Sequence, residues 1–218
     1  MARDIYGKPT DPAEEFMEQV TGKTPETPPQ DQVSVGDRIK KIRQNKKLTL
    51  ADLAEKTGFS PALLSQLENH LISPPIGTLI RLAKGLEVAL GELIFGRGEK
   101  DFTIVGQNER RVVSRYASRG GVSYGYMYEA LSPEFKGGHM VPFMVTLEPV
   151  DTPNKPSSHE GEEFIMVLEG EMELTLGEFR EILTPGDCVY YHSSITHLVT
   201  CTKGRQTRIL AVIFPGNS

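Results

Sequence analysis

Two histidines and one glutamate in the C-terminal half of the chain have the residue types and spacing of a chemical site. Glu163 follows His159 by four residues, and His197 comes eleven residues after Gly186 in the segment PGDCVYYHSSITH. Imidazole nitrogens and carboxylate oxygens are common ligands of divalent metal ions. We therefore expect ligand or metal binding to be located in this half of the chain.

The spacing of these residues resembles the two sequence motifs of the cupin superfamily. His159 falls on the second histidine of the first motif, Glu163 on its glutamate and Gly170 on its glycine, while His197 falls on the histidine of the second motif. The first histidine of the family is Ser157 in this chain. The resemblance implies a metal site made of His159, Glu163 and His197, with one of the four family ligands missing.

Two histidines and one carboxylate can form a facial triad that holds iron(II) and leaves coordination positions open. The same donors also accept zinc, nickel, cobalt or manganese, so the sequence predicts a divalent metal without naming it. The alternative is a barrel without a metal, in which the three side chains form a polar cluster in a ligand pocket.

Short strand-like segments separated by glycine and proline follow one another at intervals of roughly ten residues beyond position 101. They are FTIV, GVSYGYMYEAL, PFMVTLEP, EEFIMVLEG, EMELTLG, GDCVYYH and RILAVIF. This pattern is typical of a β-barrel or double-stranded jelly roll. We predict an effector pocket in this barrel, lined by Tyr126, Tyr128, Phe143, Ser157 and Tyr190.

The N-terminal half contains the segment TLADLAEKTGFSPALLSQLEN, which predicts two short helices joined by a turn. Thr49 and Asp52 have the spacing of a capping box that starts the first helix. Gly58 permits the positive φ of a turn, and Ser60 followed by Pro61 is typical of the start of a second helix. The apolar positions recur at helical spacing on one face of each helix.

Residues 35–95 resemble the five-helix, phage-repressor type of helix-turn-helix domain, often called the xenobiotic-response-element family. The resemblance implies that the second helix of the pair reads DNA bases. The candidate DNA-binding residues are Thr49, Ser60, Pro61, Ala62, Ser65, Gln66 and Asn69. The alternative is a helical hairpin that only packs or dimerises.

Positive charge is confined to this helical module, although the whole chain has a formal net charge of −5. Residues 33–97 contain ten lysines and arginines and six acidic residues, which gives +4. A basic module within an acidic chain is expected when that module alone contacts phosphates.

The length of 218 residues suits one or two domains. We predict a flexible, acidic and proline-rich arm over residues 1–32, a helix-turn-helix domain over 33–96, a linker over 97–101 and a cupin domain over 102–218. The chain has no long apolar run and no apolar stretch at its N-terminus, so we expect it in the cytoplasm and not in a membrane.

Together the two halves resemble bacterial transcription regulators that join an N-terminal helix-turn-helix domain to a C-terminal cupin. The implied fold is α+β with two domains, and the implied function is that of a regulator and not an enzyme. Its expected partners are an inverted repeat in double-stranded DNA, a small-molecule effector and a second copy of the chain. The alternative is a mononuclear iron enzyme resembling hydroxypropylphosphonic acid epoxidase, which shares this domain order.

Overall fold

The computed structural model describes residues 34–71, 74, 76–117, 123–150, 156–202 and 204–216. The acidic arm predicted for residues 1–32 lies outside the described residues. Within the described ranges, five α-helices are followed by nine β-strands, which confirms the predicted α+β fold.

The helical domain begins at Ser34, whose side chain caps the first helix. The helices are α1 (Val35–Asn45), α2 (Leu50–Thr57), α3 (Pro61–Glu68), α4 (Ile76–Gly85) and α5 (Leu90–Phe95). Their shared core consists of leucine and isoleucine side chains that are fully buried, namely Ile39, Leu53, Leu64, Leu82, Leu86 and Leu93.

The predicted start and stop signals of the central helix pair are present. Thr49 Oγ1 accepts a hydrogen bond from the Asp52 amide at 3.1 Å, and the Thr49 amide donates to Asp52 Oδ2 at 2.7 Å. Gly58 ends α2 with a φ of 71°, a conformation that glycine adopts without steric cost. Ser60 then caps α3, which has Pro61 in its first turn.

A buried ion pair joins α1 to α3. Arg43 donates through Nε to Glu68 Oε1 at 2.6 Å and through Nη2 to Oε2 at 2.7 Å. Its third nitrogen donates to the carbonyl oxygen of Leu48 at 2.8 Å. Arg43 is one of the ten basic residues counted in the sequence as available to phosphates. The structure shows that its charge is instead buried inside the helical domain.

The C-terminal half forms two antiparallel sheets. The strands are β1 (Val112–Ala117), β2 (Ser123–Ala130), β3 (Val141–Leu147), β4 (Glu162–Glu169), β5 (Met172–Leu176), β6 (Phe179–Leu183), β7 (Cys188–His192), β8 (His197–Cys201) and β9 (Thr207–Phe214). One sheet has the order β1-β2-β3-β9-β4-β7, and the other has the order β6-β5-β8. A short 3₁₀ helix, Gln107–Glu109, precedes β1.

The helical domain and the barrel share one hydrophobic core. The ring of Phe95, at the end of α5, lies 6.0 Å from the ring of Phe143 on β3. Phe143 in turn contacts Tyr128 on β2 edge to face, with 5.7 Å between the ring centroids. Burial of this aromatic group fixes the helices against the sheet formed by β2 and β3.

None of the helices in the described ranges has the length and apolar character needed to cross a membrane.

Candidate functional site

The structure brings His159, Glu163 and His197 together inside the barrel. Their ligand atoms all lie within 4.8 Å of one another. Glu163 Oε1 is 2.8 Å from His159 Nε2 and 3.8 Å from His197 Nε2. All three side chains are less than a tenth exposed, so they are screened from solvent.

Backbone hydrogen bonds hold the loop before β4 against β8 and thereby position the two histidines. Ser157 and His197 exchange two amide-to-carbonyl bonds, of 2.9 and 2.8 Å. The His159 amide donates to the Ser193 carbonyl, and the Ser193 amide donates to the carbonyl of Gly161, both at 2.9 Å. Gly161 has a φ of 100°, and a Cβ there would lie 2.0 Å from the Phe214 carbonyl oxygen, so only glycine fits.

Hydrogen bonds to carbonyl oxygens fix the tautomers of both rings. His159 Nδ1 lies 3.0 Å from the Glu160 carbonyl oxygen, and His197 Nδ1 lies 2.8 Å from that of Ile195. Because a carbonyl only accepts, each Nδ1 carries the proton and donates. In the neutral rings each Nε2 therefore presents a lone pair towards Glu163, as in histidines that bind metals.

The contact between His159 and Glu163 requires a positive charge. His159 Nε2 is buried and has no aligned hydrogen-bond partner, although the carboxylate oxygen is only 2.8 Å away. A lone pair and a carboxylate oxygen repel each other at this distance unless a proton or a metal ion neutralises them. The three side chains thus form a donor set that fits a divalent cation.

The titration of the pair shows that a proton can also supply this positive charge. Burial disfavours the charged form of His159, but the Glu163 carboxylate outweighs this effect and raises the pKa of the imidazole. Burial likewise disfavours the Glu163 carboxylate, yet the close contact with His159, the hydrogen bond from Tyr191 and the charge of both histidines lower its pKa overall. Glu163 is therefore ionised at neutral pH and supplies the negative charge of the site.

Two further side chains orient the carboxylate, and the sequence did not single them out. Tyr191 Oη donates to Glu163 Oε2 at 2.7 Å, and Ser193 Oγ donates to Oε1 at 3.3 Å. Burial and the Glu163 charge raise the pKa of Tyr191, so its hydroxyl remains a donor. Ser157, which replaces the first family histidine, lies 3.2 Å from His197 Nε2.

Strand register places most of the predicted pocket residues on the inner face of the barrel. Residues paired directly across antiparallel strands share a face. Glu163 pairs with Ile213 on β9, and Ile213 pairs with Val141 on β3. Phe143, two residues further along β3, and the tyrosines Tyr126 and Tyr128 on β2 follow the same face.

The prediction for Tyr190 needs correction. Tyr191 pairs directly with Glu163 and points inwards, so Tyr190 points outwards, where it is 65% exposed and bonds to Glu162. Phe143 is only 1% exposed and packs between Phe95 and Tyr128, so it closes one end of the interior instead of offering a free wall.

The candidate DNA-binding residues lie on α3 and at the starts of α2 and α3. Ser65 is half-buried. The other six candidates are exposed, namely Thr49, Ser60, Pro61, Ala62, Gln66 and Asn69. Thr49 and Ser60 use their hydroxyls as helix caps, and Asn69 donates back to the Ser65 carbonyl at 2.8 Å. Pro61, Ala62 and Gln66 form the outward surface of the helix between these caps.

Comparison with known proteins gives both domains a family. A helix-turn-helix family model matches residues 39–93, and a cupin domain model matches residues 143–213. The HTH-type transcriptional regulator PuuR of Escherichia coli (strain K12) is 28% identical over 183 residues, which cover 83% of this chain and 94% of PuuR.

Two further proteins match over most of the chain. The (S)-2-hydroxypropylphosphonic acid epoxidase of Streptomyces wedmorensis is 28% identical over 190 residues, which cover 81% of this chain and 93% of that protein. The crystal structure of an HTH_3 family transcriptional regulator from Vibrio cholerae has a TM-score of 0.58 at 23% identity, covering 84% of this chain and 96% of that one.

The similarity to PuuR extends over both domains, and α2 and α3 form a helix-turn-helix unit whose outer surface is exposed. The chain therefore contains a helix-turn-helix domain and a cupin domain, and its similarity to PuuR over both supports a DNA-binding regulator.

Proposed function

We propose that this regulator senses a small molecule in its barrel, and that His159, Glu163 and His197 hold a divalent metal ion at the sensing site. The observation that carries the proposal is the buried cluster itself, in which Glu163 Oε1 lies 2.8 Å from His159 Nε2 and 3.8 Å from His197 Nε2. A cation at this position removes the repulsion between two electron-rich atoms. Three protein ligands leave coordination positions for an effector.

In this proposal the barrel residues supply fixed positions around the ion. The Glu160 and Ile195 carbonyls hold the two imidazole rings, and the Tyr191 hydroxyl holds the carboxylate. Tyr126 and Tyr128 line the adjacent interior on the same face as Glu163. An effector with an apolar body and one or two polar atoms suits such a site.

The DNA-binding part of the proposal divides the work between two surfaces. The exposed lysines around the end of α1, such as Lys46 and Lys47, contact phosphates and set the register of the domain. Gln66, with Ser65 and Asn69, reads base edges in the major groove, while Pro61 and Ala62 contact a thymine methyl. Gln66 is best suited to adenine, because its amide can form two hydrogen bonds with that base.

We infer that the chain acts in the cytoplasm as a homodimer on an inverted repeat, because one short recognition helix makes few base contacts and two-fold symmetry doubles them. Phe102 is 71% exposed and Ile104 is 84% exposed in the extended segment before β1. We propose that the second copy of the chain covers these two side chains. Gel filtration of Phe102→Asp and Ile104→Asp variants should show a shift from dimer to monomer.

The metal proposal is tested by elemental analysis of untagged protein. We expect about one divalent ion per chain in the parent, and little or none in His159→Ala and Glu163→Gln. His192→Ala is the matched control, because this exposed histidine lies outside the triad and pairs only with Glu162 at 3.5 Å. Equal metal content in the parent and both triad variants would contradict the proposed site.

The same variants distinguish a regulator from an iron enzyme. In the regulator, loss of the triad abolishes the response of DNA binding to metal or effector but leaves the protein able to bind its operator. An oxidation of a small substrate that needs iron(II), and that disappears in both triad variants, would support the enzyme alternative instead.

A further inference from the structure

A cleft of about 400 Å³ separates the helical domain from the barrel and borders the triad. Its walls include Lys56 on α2, Arg81 and Lys84 on α4, and His139, His159 and Glu160 on the barrel side. Ile80, Val88, Leu90 and Val141 add an apolar surface. The volume is that of a site for a small metabolite.

The cations of the cleft come from the helical domain. Arg81 and Lys84 bring two positive charges against the single lining carboxylate of Glu160, and the third cation, Lys56, is paired with Glu87 at 3.0 Å. The Cζ atom of Arg81 lies over the Phe59 ring, 5.1 Å from its centroid. This contact uses one face of the guanidinium, so its N–H groups remain able to bind an oxyanion. The excess of positive charge favours an anionic ligand.

Lys84 and Glu160 form an ion pair across the cleft. Lys84 Nζ lies 2.6 Å from both carboxylate oxygens of Glu160, and both side chains are more than half exposed. An exposed pair of this kind contributes little stability, so another anion can replace the carboxylate at small cost. The pair therefore marks a position where the protein already holds an oxyanion against α4.

Glu160 also contacts the triad. Its carbonyl oxygen accepts the hydrogen bond from His159 Nδ1 at 3.0 Å. From the other side, Gly77 of α4 lies against the same ring, since a Cβ at this glycine would be 3.3 Å from His159 Cδ2. A movement of Glu160 or of α4 therefore acts directly on the ring of His159, which is a ligand of the proposed metal.

We propose that this cleft binds a small metabolite through its oxyanion group, a carboxylate or a phosphate, which takes the place of the Glu160 carboxylate on Lys84 and is also bound by Arg81. Binding replaces the direct contact between α4 and Glu160 and so changes the position of Glu160, whose carbonyl oxygen holds the His159 ring. The inference rests on the proposed function for its regulatory meaning, while the binding itself does not depend on a metal.

The test uses the full-length protein and two probes, inorganic phosphate and succinate, at constant ionic strength. Binding is measured by calorimetry on the parent, on Arg81→Gln and on Lys84→Gln, with Lys41→Gln as the matched control. Arg81, Lys84 and Lys41 are all exposed, so these variants are expected to fold. We expect saturable binding of at least one probe, weakened about tenfold or more in the cleft variants and unchanged in the control, because each removes a charge-assisted contact.

The Glu160→Gln variant should change probe affinity in the direction opposite to the Arg81 and Lys84 variants. Removal of the competing carboxylate should tighten binding of the same probe severalfold, and this gain should disappear when Arg81→Gln is added. Equal affinity in all variants would show an adventitious ion only and overturn the proposal, as would the absence of saturable binding by both probes.

Elemental analysis of the same samples separates this inference from the metal proposal. A parent that contains no metal but binds phosphate in an Arg81-dependent manner contradicts the metal site and supports the cleft. A parent that contains metal, loses it in His159→Ala and binds neither probe leaves the metal site standing and overturns the cleft.

Discussion

In the part of the chain that the structure describes, the helical domain and the barrel each bury one carboxylate, and the two carboxylates are satisfied in different ways. Glu68 receives two hydrogen bonds from Arg43, whose remaining donor reaches the Leu48 carbonyl. Glu163 receives bonds from Tyr191 and Ser193 but also faces an imidazole nitrogen that has no aligned partner. The first cluster is complete within the protein, whereas the second needs a proton or, in the function proposed above, a metal ion.

This difference indicates where each domain carries its function. A fully paired buried charge holds two helices together and offers nothing to a ligand, so the helical domain must act through its exposed surface. The barrel keeps an incompletely satisfied polar group in its interior, which is costly unless something binds there. This contrast supports the proposal that DNA reading takes place on the outside of α3 and sensing inside the barrel.

The largest effect is expected from breaking the paired cluster. Glu68→Ala leaves the Arg43 guanidinium buried without its partner and should lower the free energy of unfolding by about 3–5 kcal/mol. Urea denaturation measures this change, and Lys41→Ala on the exposed face of α1 should stay within about 0.5 kcal/mol of the parent. The double variant Arg43→Met with Glu68→Leu should recover most of the loss; a double variant as unstable as the single one would refute the account.

The next effect concerns the exposed reading surface. Gln66→Ala should relax the preference at one base position in each half-site by about 1–3 kcal/mol, because a bidentate contact to a base edge is lost. Binding of selected and mismatched operators measures it by fluorescence anisotropy. As the contrast, Lys46→Gln with Lys47→Gln should weaken binding to all sequences alike and reduce the salt dependence. If Gln66→Ala weakened binding to all operators equally, Gln66 would not contact a base.

A smaller effect is expected at the second carboxylate when metal has been removed. Glu163→Gln should change the free energy of unfolding by only about 0.5–1.5 kcal/mol at pH 8, the scale of one hydrogen bond. The amide oxygen can still accept from Tyr191, and the amide N–H can donate to His159 Nε2. Urea denaturation in a chelator checks this value. A loss as large as that of Glu68→Ala would mean that the barrel cluster is structural.

The smallest effect is a pH dependence at the start of α2. The Thr49 amide and hydroxyl hold the pKa of Asp52 below its usual value. Since the folded pKa is lower than the unfolded one, the cap stabilises the helix above the unfolded pKa and loses this contribution as the pH falls through the folded pKa. The stability difference between the parent and Asp52→Asn should therefore shrink between pH 6 and pH 3. Glu55→Gln, on the same helix but outside the cap, should show a weaker pH dependence in urea denaturation.

Local signals were sufficient to predict the helix pair and the triad. Caps such as Thr49 and Ser60 act within one turn of their helix, so they are visible in sequence. The spacing of the cupin motif also predicted that His159, in the loop before β4, and Glu163, on β4, would lie close together. The prediction that Tyr190 lines the pocket was wrong, because adjacent residues of a strand face opposite sides of the sheet. Only the pairing of β7 with β4 shows that Tyr191, and not Tyr190, faces inwards.

Contacts between distant segments could not be predicted. Arg43 looked like a surface cation, because its partner Glu68 lies 25 residues away and on another helix. Lys84 and Glu160 are 76 residues apart and meet only because α4 packs against the barrel. The cleft between them exists only in the folded molecule, and no local pattern marks it.

The most direct test of the account is the affinity for an operator selected from random DNA, measured with and without the metal that copurifies with the protein. In the parent, removal and restoration of the metal should change the dissociation constant by about 5–150-fold, the range of ordinary coupling between two sites. In His159→Ala the two values should coincide, while His192→Ala should behave like the parent. A parent whose operator affinity is the same in both states would contradict the claim that the interior of the barrel controls the reading surface.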